Sequence, residues 1–449
     1  MSGPDVPRVA VVGSGPAGLY TVAALQSSGP PVEIDVLDRL PTPYGLVRYG
    51  VAPDHAKIKA VARVLAKPFA KGVRFLGNVE VGRDVTHDEL LEHYHAVVYA
   101  SGTENDARVG IPGEDLDGCL GSSHFVRWYN GHPDAEEHAL VLDARAVAVI
   151  GAGNVALDVA RVLCRTGAEM RDTDVPHRVL DALDRSRVTD VHVLIRRTPA
   201  DARFTPAELF QLGELADADV ILHDGGAGVD DPATSEDRRV RLNLEAFRTF
   251  AATPPAGRSR RIHLRFLVSP RQIVGDGRVE GIVVEHNERS ADGGISGTGR
   301  TEQIPVGAVI TAVGFRGVPP AELPHDERGV VTSVQGRVVR DGAAVPGVYV
   351  AGWLKRGPSG VIGTNKPDGA ETAAAVVKDL ATLSTRQVRG DLIELLNERG
   401  AQIVDWAGWL RLDDHEAGLG GPVGRGRVKV HDLASMLQHS VVTRSRIGA

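Results

Sequence analysis

Three glycines near the start of the chain have the spacing of a turn that contacts a pyrophosphate. Gly13, Gly15 and Gly18 follow the pattern G-x-G-x-x-G. In such a turn the first glycine permits a tight bend, the second lets the backbone approach a pyrophosphate, and the third lets a helix pack closely on a strand. A helix beginning here offers free N–H groups and the positive end of its dipole to the anion. The spacing therefore predicts a phosphate site.

The residues around this turn predict the elements that position it. Apolar residues predict a strand over residues 8–12, a helix from residue 16 to about 27, and a second strand over residues 32–37. Asp38 ends the second strand, where its carboxylate can accept a hydrogen bond from a ribose hydroxyl. Glycines in tight turns also serve purely steric roles, but the position of this acid favours a dinucleotide-binding unit.

The same pattern recurs in the middle of the chain. A strand is predicted over residues 146–150, and the turn after it reads Gly151-Ala152-Gly153-Asn154-Val155-Ala156. Alanine at the third glycine position is a permitted variant. The turn opens a predicted helix that carries Asp158 and Arg161. The chain therefore holds two candidate dinucleotide sites.

The next strand of this second unit ends in two arginines rather than in an acid. A strand is predicted over residues 191–195, and Arg196 and Arg197 follow it. Two guanidinium groups can bind the 2′-phosphate of NADPH through bidentate charged hydrogen bonds, so the site is predicted to prefer NADPH over NADH. The arginines lie further along the chain than usual, which makes residues 168–190 an insertion. The alternative is that both are solvated residues at a strand end.

Composition bounds the remaining possibilities. A chain of 449 residues is expected to form two or more domains. The net charge of −7 argues against nucleic acid as a partner. We find neither a secretory signal nor a membrane-spanning stretch, and expect a cytoplasmic protein. The two cysteines, Cys119 and Cys164, cannot form a Cys-x-x-Cys dithiol or a four-thiolate cluster, and no metal site is expected.

Positive charge is concentrated in one window. Residues 238–265 contain eight arginines, no lysine and one acid, Glu245, which gives a net charge of +7. Such a window can steer an acidic partner toward the protein. The alternative is a solvated basic loop without a partner.

Several long blocks of sequence resemble one family. Residues 40–55, which read LPTPYGLVRYGVAPDH, closely resemble adrenodoxin reductase and the mycobacterial-type NADPH-ferredoxin reductases. Residues 77–82, 111–115, 151–161 and 352–366 resemble the same proteins in the same order. The resemblance is faint beyond about residue 390, where helices are predicted over residues 391–399 and 432–440 on either side of a glycine-rich loop at 418–426.

The resemblance implies an α/β fold with two Rossmann-like dinucleotide-binding domains, the NADPH domain inserted into the FAD domain. We expect the FAD domain at residues 1–105 and 330–449 and the NADPH domain at 106–329. The runs at 96–102 and 306–314, which end in small residues, are predicted to be the connections. The implied activity is that of an FAD-dependent NADPH-ferredoxin oxidoreductase. NADPH gives a hydride to FAD, and single electrons then pass to a small iron-sulfur protein.

The resemblance also implies roles for individual residues. With the glycines of the first turn, the residues implied to contact FAD are Ala17, Asp38, Leu46, Val81, Trp353, Gly360, Val361 and Ile362. The residues implied to contact NADPH are Ala152, Gly153, Asn154, Val155, Arg196, Arg197, Glu208 and Gly360. His55 lies at a predicted helix start, where Asp54 is expected to cap a helix that runs to about residue 65. His55 and Gln211 are the catalytic candidates. A small acidic ferredoxin is expected to dock near Arg238, Arg239 and Arg241.

Three positions depart from the relatives, and other functions stay open. Asp38 stands where the family usually has glutamate, Trp353 where related flavoproteins usually have aspartate, and Gln211 where the family often has an acid.

An NADPH-dependent flavin or quinone reductase is one alternative, because it would have the same cofactor-binding residues. A flavin-bearing electron-transfer subunit or nucleotide-sensing module is a further alternative. The missing Cys-x-x-Cys argues against a disulfide reductase.

Overall fold

The computed structural model describes residues 6–103, 105–136, 139–290 and 293–441. Its strands are β1 (Arg8–Val12), β2 (Glu33–Asp38), β3 (Arg74–Gly77), β4 (Ala96–Tyr99), β5 (Asn105–Asp106), β6 (Cys119–Gly121), β7 (Ala146–Ile150), β8 (Asp190–Ile195), β9 (Ala218–His223), β10 (Arg260–Phe266), β11 (Val268–Val274), β12 (Gly281–Arg289), β13 (Ile295–Ile304), β14 (Ala308–Thr311), β15 (Phe315–Arg316), β16 (Ser333–Val334), β17 (Arg337–Arg340) and β18 (Ala343–Val350). Its α-helices are α1 (Pro16–Ser28), α2 (Leu46–Tyr49), α3 (Ala56–Lys59), α4 (Ala62–Leu65), α5 (His87–His93), α6 (Ser122–Asn130), α7 (Ala139–Asp143), α8 (Asn154–Leu163), α9 (Gly167–Met170), α10 (His177–Asp184), α11 (Pro206–Gly213), α12 (Arg238–Ala252), α13 (Trp353–Arg356), α14 (Asn365–Leu383), α15 (Leu392–Glu398), α16 (Trp406–Gly420) and α17 (Leu433–Ser440).

The chain forms two compact units. The first contains the chain up to Asn105, Asn130–Asp134, and the chain from Phe315 onward. The second contains Asp106–Tyr129 and Ala135–Gly314. Residues 315–329, which are predicted from the sequence to lie in the inserted domain, belong to the first unit.

The first unit is built on a seven-stranded sheet. Its order is β16-β17-β18-β4-β1-β2-β3, and the five strands from β18 to β3 are parallel. Val9, Ala10 and Val11 of β1 are fully buried, as expected of a central parallel strand covered on both faces. The predicted strands at the first glycine turn are therefore confirmed. The run at 96–102, predicted to be a connection, begins as strand β4 of this sheet.

The carboxyl-terminal part of the chain completes the first unit. Helix α14 packs alongside α1, and a Cβ on Gly369 would lie 2.8 Å from the backbone nitrogen of Thr21, so this close approach requires glycine. The two predicted late helices are confirmed as α15 and α17. Helix α16 is not predicted from the sequence; it extends to Gly420 and so includes the first part of the predicted glycine-rich loop.

The second unit has a six-stranded sheet of order β6-β14-β7-β8-β10-β9 and a three-stranded sheet of order β11-β12-β13. The pairs of the larger sheet are parallel, and those of the smaller one are antiparallel. The insertion before β8 forms the short helices α9 and α10. Residues 308–311 of the second predicted connection are strand β14 of the larger sheet.

Candidate cofactor sites

Two glycines of the first turn are required by the packing of the protein itself. Gly13 has a φ of +109°, and a Cβ there would lie 2.5 Å from the carbonyl oxygen of Ala100. A Cβ on Gly18 would clash with the carbonyl oxygen of Gly13. These glycines shape the turn between β1 and α1 and would be needed with or without a ligand.

Gly15 has no such requirement. Its backbone is extended, with φ at −72°, and a Cβ there would meet only the Cα of Gly45, at 4.0 Å. A Cβ on Gly45 would in turn lie 3.0 Å from the Cα of Gly15. Gly15 is the N-cap of α1, and no side chain in the described ranges caps this helix start. The space in front of free N–H groups is thus kept clear of Cβ atoms, which fits a pyrophosphate.

Asp38 lies at the end of β2, where the sequence placed it, and it bonds the turn directly. Its carboxylate accepts hydrogen bonds from the backbone nitrogen of Ser14 at 2.9 Å and from the Ser14 hydroxyl. The backbone nitrogen of Leu40 donates to the other carboxylate oxygen at 3.0 Å. Burial raises the pKa of Asp38, although these hydrogen bonds lower it. Asp38 therefore fixes the turn in addition to any contact with a ribose.

Trp353 is anchored close to the first turn. It begins α13, and its ring stacks on Phe315 with the ring centroids 5.8 Å apart. Its indole nitrogen donates to the carbonyl oxygen of Ser359 at 3.2 Å. The preceding Gly352 has a φ of +73°, and a Cβ there would lie 2.5 Å from the Cβ of Ala17. The structure thus brings together Ala17 and the Trp353 segment, 336 residues apart in sequence.

The other predicted FAD contacts lie in loops and at helix starts of the same unit. Gly360 has a φ of +84°, and Val361, which is 63% exposed, donates its backbone nitrogen to the Thr364 hydroxyl at 2.9 Å. Ile362 packs against the core of the unit just before α14. Leu46 begins α2 and is 43% exposed, and Val81 is half-buried.

His55 is buried and is the N-cap of α3. The sequence predicts one helix that is capped by Asp54 and runs to about residue 65. The structure corrects this prediction, because the segment is two short helices, α3 and α4, that meet at residues 60 and 61. His55 itself lies in the loop that connects α2 to α3.

In the second glycine turn, as in the first, the packing of the protein requires one glycine and does not require the other. A Cβ on Gly151 would clash with the carbonyl oxygen of Ala312, so the protein needs glycine there. Gly153 is extended, with φ at −117°, and a Cβ there would meet nothing within 4 Å. Gly153 is the N-cap of α8, again without a side-chain cap among the described residues. Ala152 and Val155 pack against the core beside it.

Thr205, which was not among the residues predicted from the sequence, hydrogen-bonds to two predicted NADPH contacts, Asn154 and Glu208. The backbone nitrogen of Thr205 donates to Asn154 Oδ1 at 2.8 Å, and Asn154 Nδ2 donates to the Thr205 hydroxyl at 3.2 Å. That hydroxyl donates to Glu208 Oε2. Gln211 lies one helical turn after Glu208, and its Oε1 is buried with no hydrogen bond from the described part of the chain. The only sequence signal for Thr205 was its place before Pro206, at a helix start.

Arg196 and Arg197 follow β8 directly, and both are exposed. Their backbones are held, since Asn287 donates to the carbonyl oxygen of Arg196 at 3.1 Å and the nitrogen of Leu267 donates to that of Arg197 at 3.2 Å. Neither guanidinium has an ion pair within the described ranges. Both are therefore available to an anion.

The arginines of the basic window, residues 238–265, are less available to an acidic partner than the net charge of the window suggests. Arg261 pairs with Asp190 at 2.6 Å and Arg265 with Glu302 at 2.7 Å, and both acids lie outside the window. In α12, Arg239 donates to the carbonyl oxygen of Ala202, and Arg241 donates to those of Ser235 and Glu236. Counting charges along the sequence therefore overstated the positive field of this window.

Comparison with known proteins identifies the family. Residues 7–198 match the family model described as pyridine nucleotide-disulphide oxidoreductase. The chain is 38% identical to the NADPH-ferredoxin reductase FprA of Mycobacterium leprae, over 96% of this chain and 98% of that protein. The chain belongs to the NADPH-ferredoxin reductase family.

Two further relatives support this family assignment. The human mitochondrial NADPH:adrenodoxin oxidoreductase is 37% identical over 96% of this chain and 91% of its own length. The solved structure of Mycobacterium tuberculosis FprA in complex with NADPH matches with a TM-score of 0.90 and 38% identity, covering 97% of this chain and 99% of that one. The resemblance found in the sequence and the predicted fold class are both confirmed.

The two cysteines do not have the reactivity of a disulfide reductase. The family model's description mentions disulphides, but burial raises the pKa of Cys119 to about 11 and that of Cys164 to about 12. These thiols are therefore poor nucleophiles near neutral pH.

Within the described ranges, every helix is too short or too polar to cross a bilayer.

Proposed function

We propose that the chain is an FAD-dependent NADPH-ferredoxin oxidoreductase, with FAD bound by the first unit and NADPH by the second. The observation that carries this proposal is the pair Gly15 and Gly153. Each is the N-cap of a helix whose start has no side-chain cap among the described residues. At both positions the protein has room for a Cβ, so its own packing does not require glycine there. Two such places in one chain suit two dinucleotides.

In the first unit, Gly13 and Gly18 shape the turn and Gly15 lets the pyrophosphate approach the amino end of α1. Asp38 holds the turn through Ser14 and accepts from the ribose. Ala17, Leu46, Val81, Trp353, Gly360, Val361 and Ile362 supply the remaining FAD contacts. We propose the domain limits 1–105 and 315–449 for this part.

In the second unit, Gly153 admits the pyrophosphate of NADPH, with Ala152 and Val155 beside it. Asn154 and Glu208 hydrogen-bond to the cofactor, and Thr205 orients them. The exposed guanidinium groups of Arg196 and Arg197 bind the 2′-phosphate. His55 is the proposed proton-handling residue, and Gln211, a neutral side chain, can only orient a group and cannot take up a proton.

The bound cofactors supply the electron chemistry, in which one NADPH and two oxidised ferredoxins give NADP⁺, one proton and two reduced ferredoxins. The acceptor is proposed to be a small acidic ferredoxin, because the chain offers basic surface but no redox thiol of its own. Arg238, Arg239 and Arg241 were expected to receive it, and Arg238 at least is exposed. A cytoplasmic location remains a prediction.

Anaerobic spectroscopy tests this proposal. The purified protein is expected to be yellow, to bleach on addition of one equivalent of NADPH, and to regain its colour when an acidic [2Fe–2S] ferredoxin is added. A yellow protein that NADPH fails to bleach would favour a sensing or electron-transfer subunit. Bleached protein that is reoxidised by quinone or free flavin, and by no ferredoxin, would favour the small-molecule reductase.

A further inference from the structure

A second basic surface lies in the first unit, and the charge count of the sequence did not single it out. Residues 55–79 contain six basic residues and no acid. Lysine is rare in this chain, which has 8 lysines among its 51 basic residues, yet four of them fall at Lys57, Lys59, Lys67 and Lys71. No lysine occurs between residues 106 and 314. The chain therefore uses lysine where it otherwise uses arginine, and concentrates it in one segment.

Four of these cations are free to act at a distance. Lys57, Arg63, Lys67 and Lys71 are exposed, and none of them has an ion pair within the described ranges. The arginines of the 238–265 window differ, since several are bonded to acids and carbonyl oxygens. Because the whole chain carries −7, the surface outside this segment is more negative still. An acidic protein would therefore be attracted to this segment more than to the chain as a whole.

Two exposed apolar side chains lie among these cations. Ile58 is 39% exposed and Val64 is 49% exposed. We call the set Lys57, Ile58, Arg63, Val64, Lys67 and Lys71 the lysine face. Protein interfaces combine apolar side chains with charged ones in this way. Transient electron-transfer contacts are small, and the flexible, strongly hydrated ammonium group of lysine suits steering without fixed geometry.

The lysine face follows directly after His55, the proposed proton-handling residue. Helix α3, which carries Lys57 and Ile58, begins at the buried His55. His55 lies in the sequence block that resembles the reductases. A partner on this face would therefore contact the segment that begins at His55, the proposed proton-handling residue.

We infer that the lysine face is the docking surface for the acidic iron-sulfur protein. This inference rests on the proposed function and replaces Arg238, Arg239 and Arg241 as the main contact. The docking is electrostatic and short-lived, so its strength falls as salt concentration rises.

Carbodiimide cross-linking tests the location directly, because the reagent joins lysine amines to carboxylates. The FAD-containing protein is mixed with an acidic [2Fe–2S] ferredoxin at low salt, and the cross-linked peptides are identified by mass spectrometry. Most cross-links are expected at Lys57, Lys67 and Lys71, and they should disappear at high salt. Cross-links confined to the exposed Lys366 or Lys378, or none at all, would overturn the inference.

Charge-reversal variants test how much the lysine face contributes to docking. They also test the arginine window, which cross-linking cannot report on because it contains no lysine. Arg63→Glu with Lys67→Glu and Lys71→Glu is expected to raise the KM for ferredoxin about tenfold or more at low salt. NADPH oxidation by ferricyanide should stay within about twofold of wild type, because a small acceptor needs no docking surface. The single variants Lys67→Glu and Lys378→Glu make the same charge change at two places, and only the first should raise KM.

Three outcomes would contradict the inference. Equal effects of Lys67→Glu and Lys378→Glu would show a general charge effect. A loss seen only with Arg238→Glu, Arg239→Glu and Arg241→Glu would return docking to the second unit. Cosedimentation of the wild-type protein with phosphatidylglycerol vesicles, lost in the triple variant, would assign the face to a membrane. Failure of the proposed function is distinct, because the wild-type protein would then reduce ferricyanide but no ferredoxin.

Discussion

Single side chains at strand ends are proposed to set the cofactor preference of each unit. Asp38 is the last residue of β2 and carries a carboxylate, while Arg196 follows β8 and carries a guanidinium. A carboxylate suits the free hydroxyls of a ribose and repels a phosphate, whereas guanidinium groups bind a phosphate. The two strand ends are therefore expected to select different dinucleotides.

Replacement of both arginines tests the second of these roles. Arg196→Ala with Arg197→Ala should lower the ratio of kcat/KM for NADPH over NADH by roughly 100-fold, since each lost charged hydrogen bond contributes about 1.5–3 kcal/mol. Arg187→Ala is the control, because Arg187 is also exposed but precedes β8 at its other end. A double variant with an unchanged ratio would remove the 2′-phosphate assignment.

Residue-scale prediction from sequence worked where the signal is local. The glycines, Asp38 and the arginine pair are recognisable from their neighbours along the chain. Thr205 contacts Asn154, which is 51 residues away, and no local pattern indicates such a contact. The basic window was overestimated for the same reason, since Asp190 lies 71 residues from Arg261.

At the scale of elements, α16 is joined to α2 by a buried ion pair. Arg48 donates two hydrogen bonds to Glu416, at 3.0 and 2.5 Å, and both side chains are almost fully buried. The guanidinium of Arg48 also lies 5.1 Å from the ring centre of Trp409. Arg48 belongs to the block that resembles the reductases, so a helix missed in the sequence supports a segment that was recognised. The pair spans 368 residues, which explains why sequence patterns did not reveal it.

Removal of one partner of this pair should be costly. Glu416→Ala leaves Arg48 buried without its acid, which is expected to destabilise the protein by about 3–5 kcal/mol. The corresponding fall in Tm is roughly 10 °C. Arg48→Met with Glu416→Leu should recover much of this loss. Glu92→Ala, which breaks an exposed pair with Arg389, is the control and should change Tm little. A small effect of Glu416→Ala would refute the structural role.

Three parallel strands of the second unit align a row of histidines. The rings of His192 in β8 and His263 in β10 stack with their centroids 4.4 Å apart, and His223 in β9 lies 5.4 Å beyond. Burial and the neighbouring histidine lower the pKa of His192 to about 3. Burial also lowers the pKa of His223 and His263. The charged groups around the row are Asp190, Asp224, Arg261, Arg265 and Glu302.

This row predicts a loss of stability in mild acid. Below pH ~6.5 an unfolded histidine takes up a proton, while folded His192 stays neutral, so the free energy of unfolding falls as pH falls. At pH 5 the loss from His192 alone is about 2 kcal/mol. His192→Phe keeps a stacked ring without a titrating group, and its Tm should fall less than that of wild type between pH 7 and 5. Parallel falls in both proteins would contradict this prediction.

At the scale of the whole molecule, the chain repeats one binding design in two compact units. The first unit collects both ends of the chain, and the sequence could predict this only through its resemblance to a family. Strands and glycine turns followed from local patterns, but the assignment of residues 315–329 and 130–134 depends on contacts distant in sequence. Within each unit the packing of the protein requires the first glycine of the turn but does not require the second.

The second glycine of the NADPH turn gives the most direct test of the account. A Cβ on Gly153 meets nothing in the described structure and its backbone is extended, so Gly153→Val should fold normally. The variant should purify yellow with full FAD and bleach with dithionite, while NADPH should bleach it at least roughly 100-fold more slowly than wild type. Gly15→Val should show the reverse defect, a protein without bound flavin. A Gly153→Val protein that keeps its FAD and is bleached by NADPH at the wild-type rate would contradict the central claim of two separate dinucleotide sites.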